Sequence, residues 1–311
     1  MNWTRYRRWH GRSRKFCLWL CMVGVGVSLH CTAPCYAQDL GGDAAMIASF
    51  TSDQVQTLQK IRTANIIYLG ETHDQPADHA AQLATLQELS RQNTPLTLAL
   101  EMFQRPYQGV LDAYLAGRIS EAELLDQTEY RQRWGFDWQL YAPILRWAKA
   151  RQIPLLALNT PTATIRKVAR NGLESLIAED FKWIPPLADI DTRNQAYRQR
   201  MQELYDSFHR KKGNNTGFDR FFQAQVLWDE TMAEAIAQSW LKFPSRQIVV
   251  LVGQGHLLYG DGIPSRVARR LQQSTTKPWQ QYTVLINPPQ ELQGPQPRPV
   301  ADFLWFTPTQ P

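Results

Sequence analysis

Short apolar runs of strand length alternate along this chain with stretches of helical spacing, and that alternation restricts it to an α/β layer fold. The runs are "NIIYLGE" at 65–71, "PLTLALEMF" at 95–103, "IPLLALNTP" at 153–161, "QIVVLVGQGH" at 247–256 and "QYTVLINP" at 281–288. A last edge strand is predicted at "ADFLWFTP", 301–308. The first run is apolar almost throughout, so both of its faces must be covered, as in a parallel sheet. Between the runs the spacing is helical. Residues 76–91 begin with a proline suited to a first turn, and Ser120 with Glu123 has the form of a capping box. Further helices are predicted at 137–152, after 161 and at 265–273. Helical crossovers of this kind join parallel neighbours. The fold class expected is therefore α/β, a mostly parallel sheet flanked by helices. A polar and aromatic block at 189–240 reads as helical apart from "KKGNNTG" at 211–217 and interrupts the alternation. It is predicted to be an insertion or lid on the same domain. One domain is expected over 38–311, with a core at about 50–290 and a proline-rich tail.

The first 37 residues have a different character. Arg5, Arg7, Arg8, Arg12, Arg14 and Lys15 precede an apolar stretch from Phe16 to Leu29, and small and polar residues follow up to Ala37. A basic start, a short greasy core and a small-residue end are the layout of a secretory signal. The core is short for a membrane span, which needs about 20 residues; an uncleaved anchor is the alternative. This segment accounts for the basic balance of the chain. Six of the 34 basic residues lie before Gln38, which leaves 28 against 28 acids in the remainder. A domain of balanced charge does not have the electrostatic footprint of a nucleic-acid-binding protein. All four cysteines, Cys17, Cys21, Cys31 and Cys35, also lie in the signal, so the expected mature domain has no thiol for a disulfide, a zinc finger or a nucleophile. His30 and Pro34 stand before Cys31 and Cys35, where a lipoprotein site needs small residues, so soluble export, to the periplasm or outside the cell, is expected rather than a lipid anchor.

The candidate site follows from sheet polarity. In an open parallel sheet, ligands bind beyond the carboxyl ends of the strands. Glu71 and His73 follow the first run, Glu101 closes the second, Asn159 the third, and His256 follows the fourth. Two imidazoles and two carboxylates are thus predicted to share one crevice, with Gly70, Gly253 and Gly255 permitting tight turns. Such a set suits two kinds of chemistry. It can hold a divalent metal that activates water, or a carboxylate can orient an imidazole as a general base. His79 and His209 lack this context and are expected at the surface.

Five segments, "YLGETHDQPADH", "LALEMFQRPYQ", "PLLALNTP", "QAQVLWDETMA" and "VLVGQGHLLYGDGIPSRV", together resemble the ChaN-like haem-binding proteins, of one superfamily with the erythromycin esterases and the Tiki metal-dependent proteases. The resemblance spans about 50–290, and the superfamily's glutamate and histidine pattern falls on Glu71, His73, Glu101 and His256. It implies an exported protein of haem or iron uptake, with haem as cofactor, a tyrosine as iron ligand, and paired haems between two subunits of a homodimer. The candidates for that ligand are Tyr197 and Tyr205, with His209 one turn after Tyr205 on the same helix face. Phe218, Phe221, Phe222 and Trp228 recur at helical spacing nearby, as either core or haem wall. Covalent haem attachment is excluded, since no Cys-x-x-Cys-His occurs. The poor lipoprotein site leaves peripheral membrane association open. Haem binding is the first functional expectation. The alternative is a hydrolase, an esterase or peptidase, built on the four strand-end residues; a small-molecule ligand bound there without chemistry is the third.

Overall fold

The computed structural model describes residues 50–92, 94–209, 215–296 and 298–308. The expected signal at 1–37 lies outside the described residues, as do the side chains of 208–216. Among the described residues six strands, β1 (Ile66–Glu71), β2 (Leu96–Gln104), β3 (Leu155–Asn159), β4 (Gln247–Gly253), β5 (Gln281–Ile286) and β6 (Phe303–Trp305), form one sheet in the order β3-β2-β4-β1-β5-β6. Every neighbouring pair is parallel. β1, β2 and β4 are buried at every position, which is why their sequences lack the alternation of a half-exposed strand.

The helices are α1 (Ser52–Ile61), α2 (Pro76–Ser90), α3 (Gln108–Leu115), α4 (Glu121–Gln127), α5 (Tyr130–Arg133), α6 (Trp138–Ala150), α7 (Thr162–Asn171), α8 (Gln195–His209), α9 (Asn215–Lys242) and α10 (Ile263–Ser274). Local chemistry sets several of their starts. Thr51 and Gln54 close a capping box on α1, and the predicted box of Ser120 with Glu123 opens α4. Asp137 caps α6 by accepting from the Gln139 N–H at 3.0 Å. Pro76 occupies the first turn of α2.

The block predicted as an insertion or lid is two helices with different duties. α8 lies over the N-terminal half of α9, where Tyr197 packs on Phe222 and Tyr205 on Phe218. The C-terminal half of α9 belongs to the core. Met232, Ala233, Ile236 and Trp240 pack with Ile66, Tyr68, Val250 and Val252 of the sheet. It is the helix that returns the chain to β4, so the alternation of strands and helices is maintained through this block rather than broken by it.

The proline-rich tail docks on the domain. Val300 and Trp305 are buried, at 5% and 3% exposure, and β6 pairs with β5 from Val284 to Ile286. Tyr259 fastens the approach. Its N–H donates to the Val300 carbonyl at 2.7 Å, and the guanidiniums of Arg200 and Arg298 stand 4.9 and 5.0 Å from its ring. Both guanidiniums pair with Asp261. Among the described residues no helix is long and apolar enough to cross a membrane.

Candidate functional site

β4 lies between β1 and β2, and this placement assembles the site. Glu71 is level with Gly253 across the β1–β4 pair, and Leu100 is level with Leu251 across the β2–β4 pair. Glu71 and Glu101 therefore flank the carboxyl end of β4, and His256 follows it in a short 3-10 turn. The four residues expected at the strand ends do converge. His73 Nδ1 donates to Glu71 Oε1 at 2.8 Å, and His256 Nε2 stands 3.4 Å from Glu101 Oε1. The two pairs meet over Gly253. A Cβ there would lie 2.8 Å from both Cε1 and Nε2 of His73 and 3.6 Å from Glu101 Oε2. That is closer than a side-chain carbon can approach the ring, so Gly253 is present to admit His73. The turn-making role expected for it does not apply, since its φ of −61° is open to any residue.

Several other residues complete the site. Glu71 also accepts from the Tyr141 hydroxyl at 2.5 Å and from Gln82 Nε2 at 2.7 Å. The backbone N–H of Gly253 donates to Glu101 Oε2 at 2.7 Å, and Asn159 Nδ2 donates to the Glu101 carbonyl at 2.7 Å. Trp134 and Phe136 enclose His73 with ring centroids 4.7 and 4.8 Å away. The His73 side chain retains 17% exposure, against 8% for His256 and 1% for each glutamate. His73 is thus the member of the set that solvent reaches most easily.

Charge is balanced pair against pair. Burial opposes ionisation of every member, yet the pairing outweighs it. Burial would raise the Glu71 carboxyl, but the hydrogen bond from His73 and the nearby His79 and Tyr141 bring it down to about 2. Glu101 is also lowered: burial works against ionisation, and His256, His73 and the Gly253 N–H overcome it. Burial would lower both imidazoles. Glu101 and then Glu71 raise His73, while the like charge of His256 works the other way. Glu101 and Asp229 push His256 up to about 10. The result is two buried carboxylate–imidazole pairs, with Asp229 as a further carboxylate on His256.

The structure corrects the expectation for His79. It is buried, not at the surface. Its Nε2 donates to the His73 carbonyl at 3.1 Å, and its Nδ1 lies 3.5 Å from Glu71 Oε2. Its place as the fourth residue of α2, against the end of β1, could be read from no local signal. The tyrosines considered for haem lie elsewhere. Tyr197 is fully buried and donates to Asp229 Oδ2 at 2.5 Å, so it presents no face to a planar ligand. Tyr205 is also buried, but near the end of α8, with Phe218 and Phe221 at 5.7 and 5.4 Å. Its hydroxyl end lies over Gly217, where a side-chain carbon would collide with it. His209 ends α8, and its side chain lies outside the described residues. The divalent metal considered for the four strand-end residues does not fit them. Among the described residues no three His, Cys, Asp or Glu side chains are arranged to hold one, and both Glu71 oxygens already accept hydrogen bonds.

A family model described as "Haem-binding uptake, Tiki superfamily, ChaN" matches residues 57–267, more than half of the chain. The chain belongs to this ChaN family. The structure titled "Cofacial heme binding to ChaN of Campylobacter jejuni" shares its fold, with a TM-score of 0.59 at 18% identity over 75% of this chain and 86% of that one. An erythromycin esterase mutant in its open conformation aligns at a TM-score of 0.43, with 15% identity over 77% of this chain and 74% of that one. By sequence, the chain is 28% identical over 282 residues to the chloroplastic protein RETICULATA-RELATED 5 of Arabidopsis thaliana. The match takes in 83% of this chain and 36% of that protein, so the chain spans about a third of its curated relative. All four strand-end residues of this ChaN-family chain fall inside the matched span.

Proposed function

We propose that this chain is an exported haem-binding protein of haem or iron uptake. Its membership of a haem-binding uptake family over residues 57–267 is the observation that carries the reading. The signal-like pattern of 1–37 supports export. Of the two tyrosines this reading sets Tyr197 aside, because it is buried against Asp229, and takes Tyr205, near the end of α8, as the iron ligand. A phenolate oxygen suits ferric haem. The test is a titration of the purified full-length chain with ferric haem, read by its Soret band. Saturable binding is expected, with the spectrum altered and the affinity lowered in Tyr205→Phe and both unchanged in Tyr197→Phe. A wild type without a saturable shift would sink the reading.

A second reading has its own observation in the double carboxylate–imidazole pair at the strand ends, which a surface haem site does not require. In this reading the chain is also a hydrolase of esters or peptides. Glu71 holds His73 Nδ1 protonated, which leaves Nε2 as the base. His73 Nε2 takes a proton from water as the oxygen bonds to the carbonyl carbon. The charge gathering on the carbonyl oxygen is stabilised by the His256 imidazolium. The tetrahedral intermediate then expels the alcohol or amine, which receives the proton from His73. Because the neighbouring carboxylates raise His73, its basic form accumulates only as pH rises above the ordinary histidine range. Hydrolysis should therefore increase with pH on the alkaline side of 6.5. A panel of esters and peptides checks this, with Glu71→Gln and His73→Gln as inactive controls.

A further inference from the structure

Neither reading above gives the segment "QAQVLWDETMA" a chemical role, yet three of its residues contact His256. Gln225, Trp228 and Asp229 are separated by three and four residues, so they share one face of α9. That face is turned to the imidazole. Asp229 Oδ1 stands 2.5 Å from His256 Nδ1, and the Gln225 amide lies beside the same nitrogen at 3.3 Å. The Trp228 ring meets the imidazole edge-on with centroids 5.1 Å apart, and its indole N–H donates to the Asn159 side chain. Behind Asp229, the hydroxyl of Tyr197 donates to the other carboxylate oxygen at 2.5 Å. Asp229 is fully buried, and both of its oxygens are used.

A carboxylate can only accept, so the proton on His256 Nδ1 points at Asp229 and the ring cannot turn over without breaking that bond. Nε2 is then fixed toward Glu101 and the junction of the two pairs. We propose that Asp229, backed by Tyr197 and walled by Gln225 and Trp228, is the positioning residue of His256, holding it as a fixed proton donor aimed into the strand-end site. Its consequence for turnover rests on the hydrolytic reading, in which His256 stabilises the carbonyl oxygen. The Tyr197 hydroxyl is spent on this duty rather than on iron.

The test has a spectroscopic arm and a kinetic arm, both on the full-length chain. A proton held in a short bond between an imidazole and a carboxylate gives a far-downfield NMR resonance, assigned here by its loss in His256→Gln. It should be present in the wild type, absent in Asp229→Asn and displaced in Tyr197→Phe. In the kinetic arm, Asp229→Asn should lower kcat about 10²–10⁴-fold, the range of a positioned acid–base group, and leave KM unchanged. The double variant Asp229→Asn with His256→Gln should be no slower than His256→Gln alone, because the carboxylate acts through the imidazole. A resonance that survives Asp229→Asn unchanged, or losses that multiply in the double variant, would overturn the proposal. Should Asp229→Asn not fold, a wild-type resonance unmoved in Tyr197→Phe overturns it as well. If the wild type hydrolyses nothing while the resonance is present and vanishes in Asp229→Asn, the hydrolytic reading fails and the assignment of Asp229 to His256 is upheld.

Discussion

Replacing His256 by glutamine would remove the cation that two buried carboxylates share. Glu101 and Asp229 stand 3.4 and 2.5 Å from its two ring nitrogens, and both are almost inaccessible to solvent. Glutamine is of similar size but carries no charge, so each buried carboxylate would lose its nearest cation. Breaking a buried pair in this way costs about 3–5 kcal/mol. In a domain of this size each kcal/mol lowers Tm by about 2–4 °C, so a fall of roughly 6–20 °C is expected at neutral pH. Proton linkage leads to a similar magnitude. His256 is pushed up from 6.5 to about 10 by its carboxylates, against the pull of burial. At about 1.4 kcal/mol per unit, that is on the order of 5 kcal/mol. A group raised in the folded state contributes fully below its unfolded value and loses that contribution as pH rises through the folded one. The stability gap between wild type and His256→Gln should therefore be largest near pH 6.5 or below and shrink toward about 10. Thermal melts across this range measure it. A gap under about 1 kcal/mol at neutral pH, or one that widens on the alkaline side, would refute the idea that a buried ion-pair array organises this end of the sheet.

Two further outcomes follow from packing. Gly253→Ala should cost only about 1–3 kcal/mol of overpacking, because the obstructing atoms belong to the partly exposed His73 ring, which can swing away. A crystal structure of the variant should show His73 displaced and its bond to Glu71 lost; a ring still seated against residue 253 would count against the close-approach argument. Deleting the chain after Gly294 removes Val300, Trp305 and the Arg298–Asp261 pair. At about 1.5–3 kcal/mol for each large apolar side chain exposed or lost, Tm should drop by at least roughly 6 °C; a truncated chain melting with the intact one would mean the docked tail contributes nothing.

How much of this was legible in residues 38–311 depends on the range of the interaction that specifies each feature. A strand buried on both faces has to be apolar along its length, so β1, β2, β3 and β4 stand out without reference to the rest of the chain. Parallel pairing then brings their carboxyl ends to one edge. For that reason the sequence alone groups Glu71, His73, Glu101 and His256. Asp229 could not, because nothing in a long amphipathic helix distinguishes a carboxylate facing an imidazole 27 residues away from one facing water. His79 and Tyr141 were hidden for the same reason, since only packing against the end of β1 gives these two a partner. The glycine at 253 misled in an instructive way: its local signature is a turn, whereas its use is to leave room for a ring brought in from another strand.

The amino-acid order by itself determined the layer architecture and the edge of the sheet on which chemistry would gather, because periodicity and strand polarity are properties of short stretches. Tertiary structure alone decided that β4 runs between β1 and β2, so that two distant acid–imidazole pairs become one array, and that α9 turns a carboxylate toward the second imidazole. Those outcomes depend on which buried surfaces meet across the whole chain, and no window of neighbouring residues carries that information.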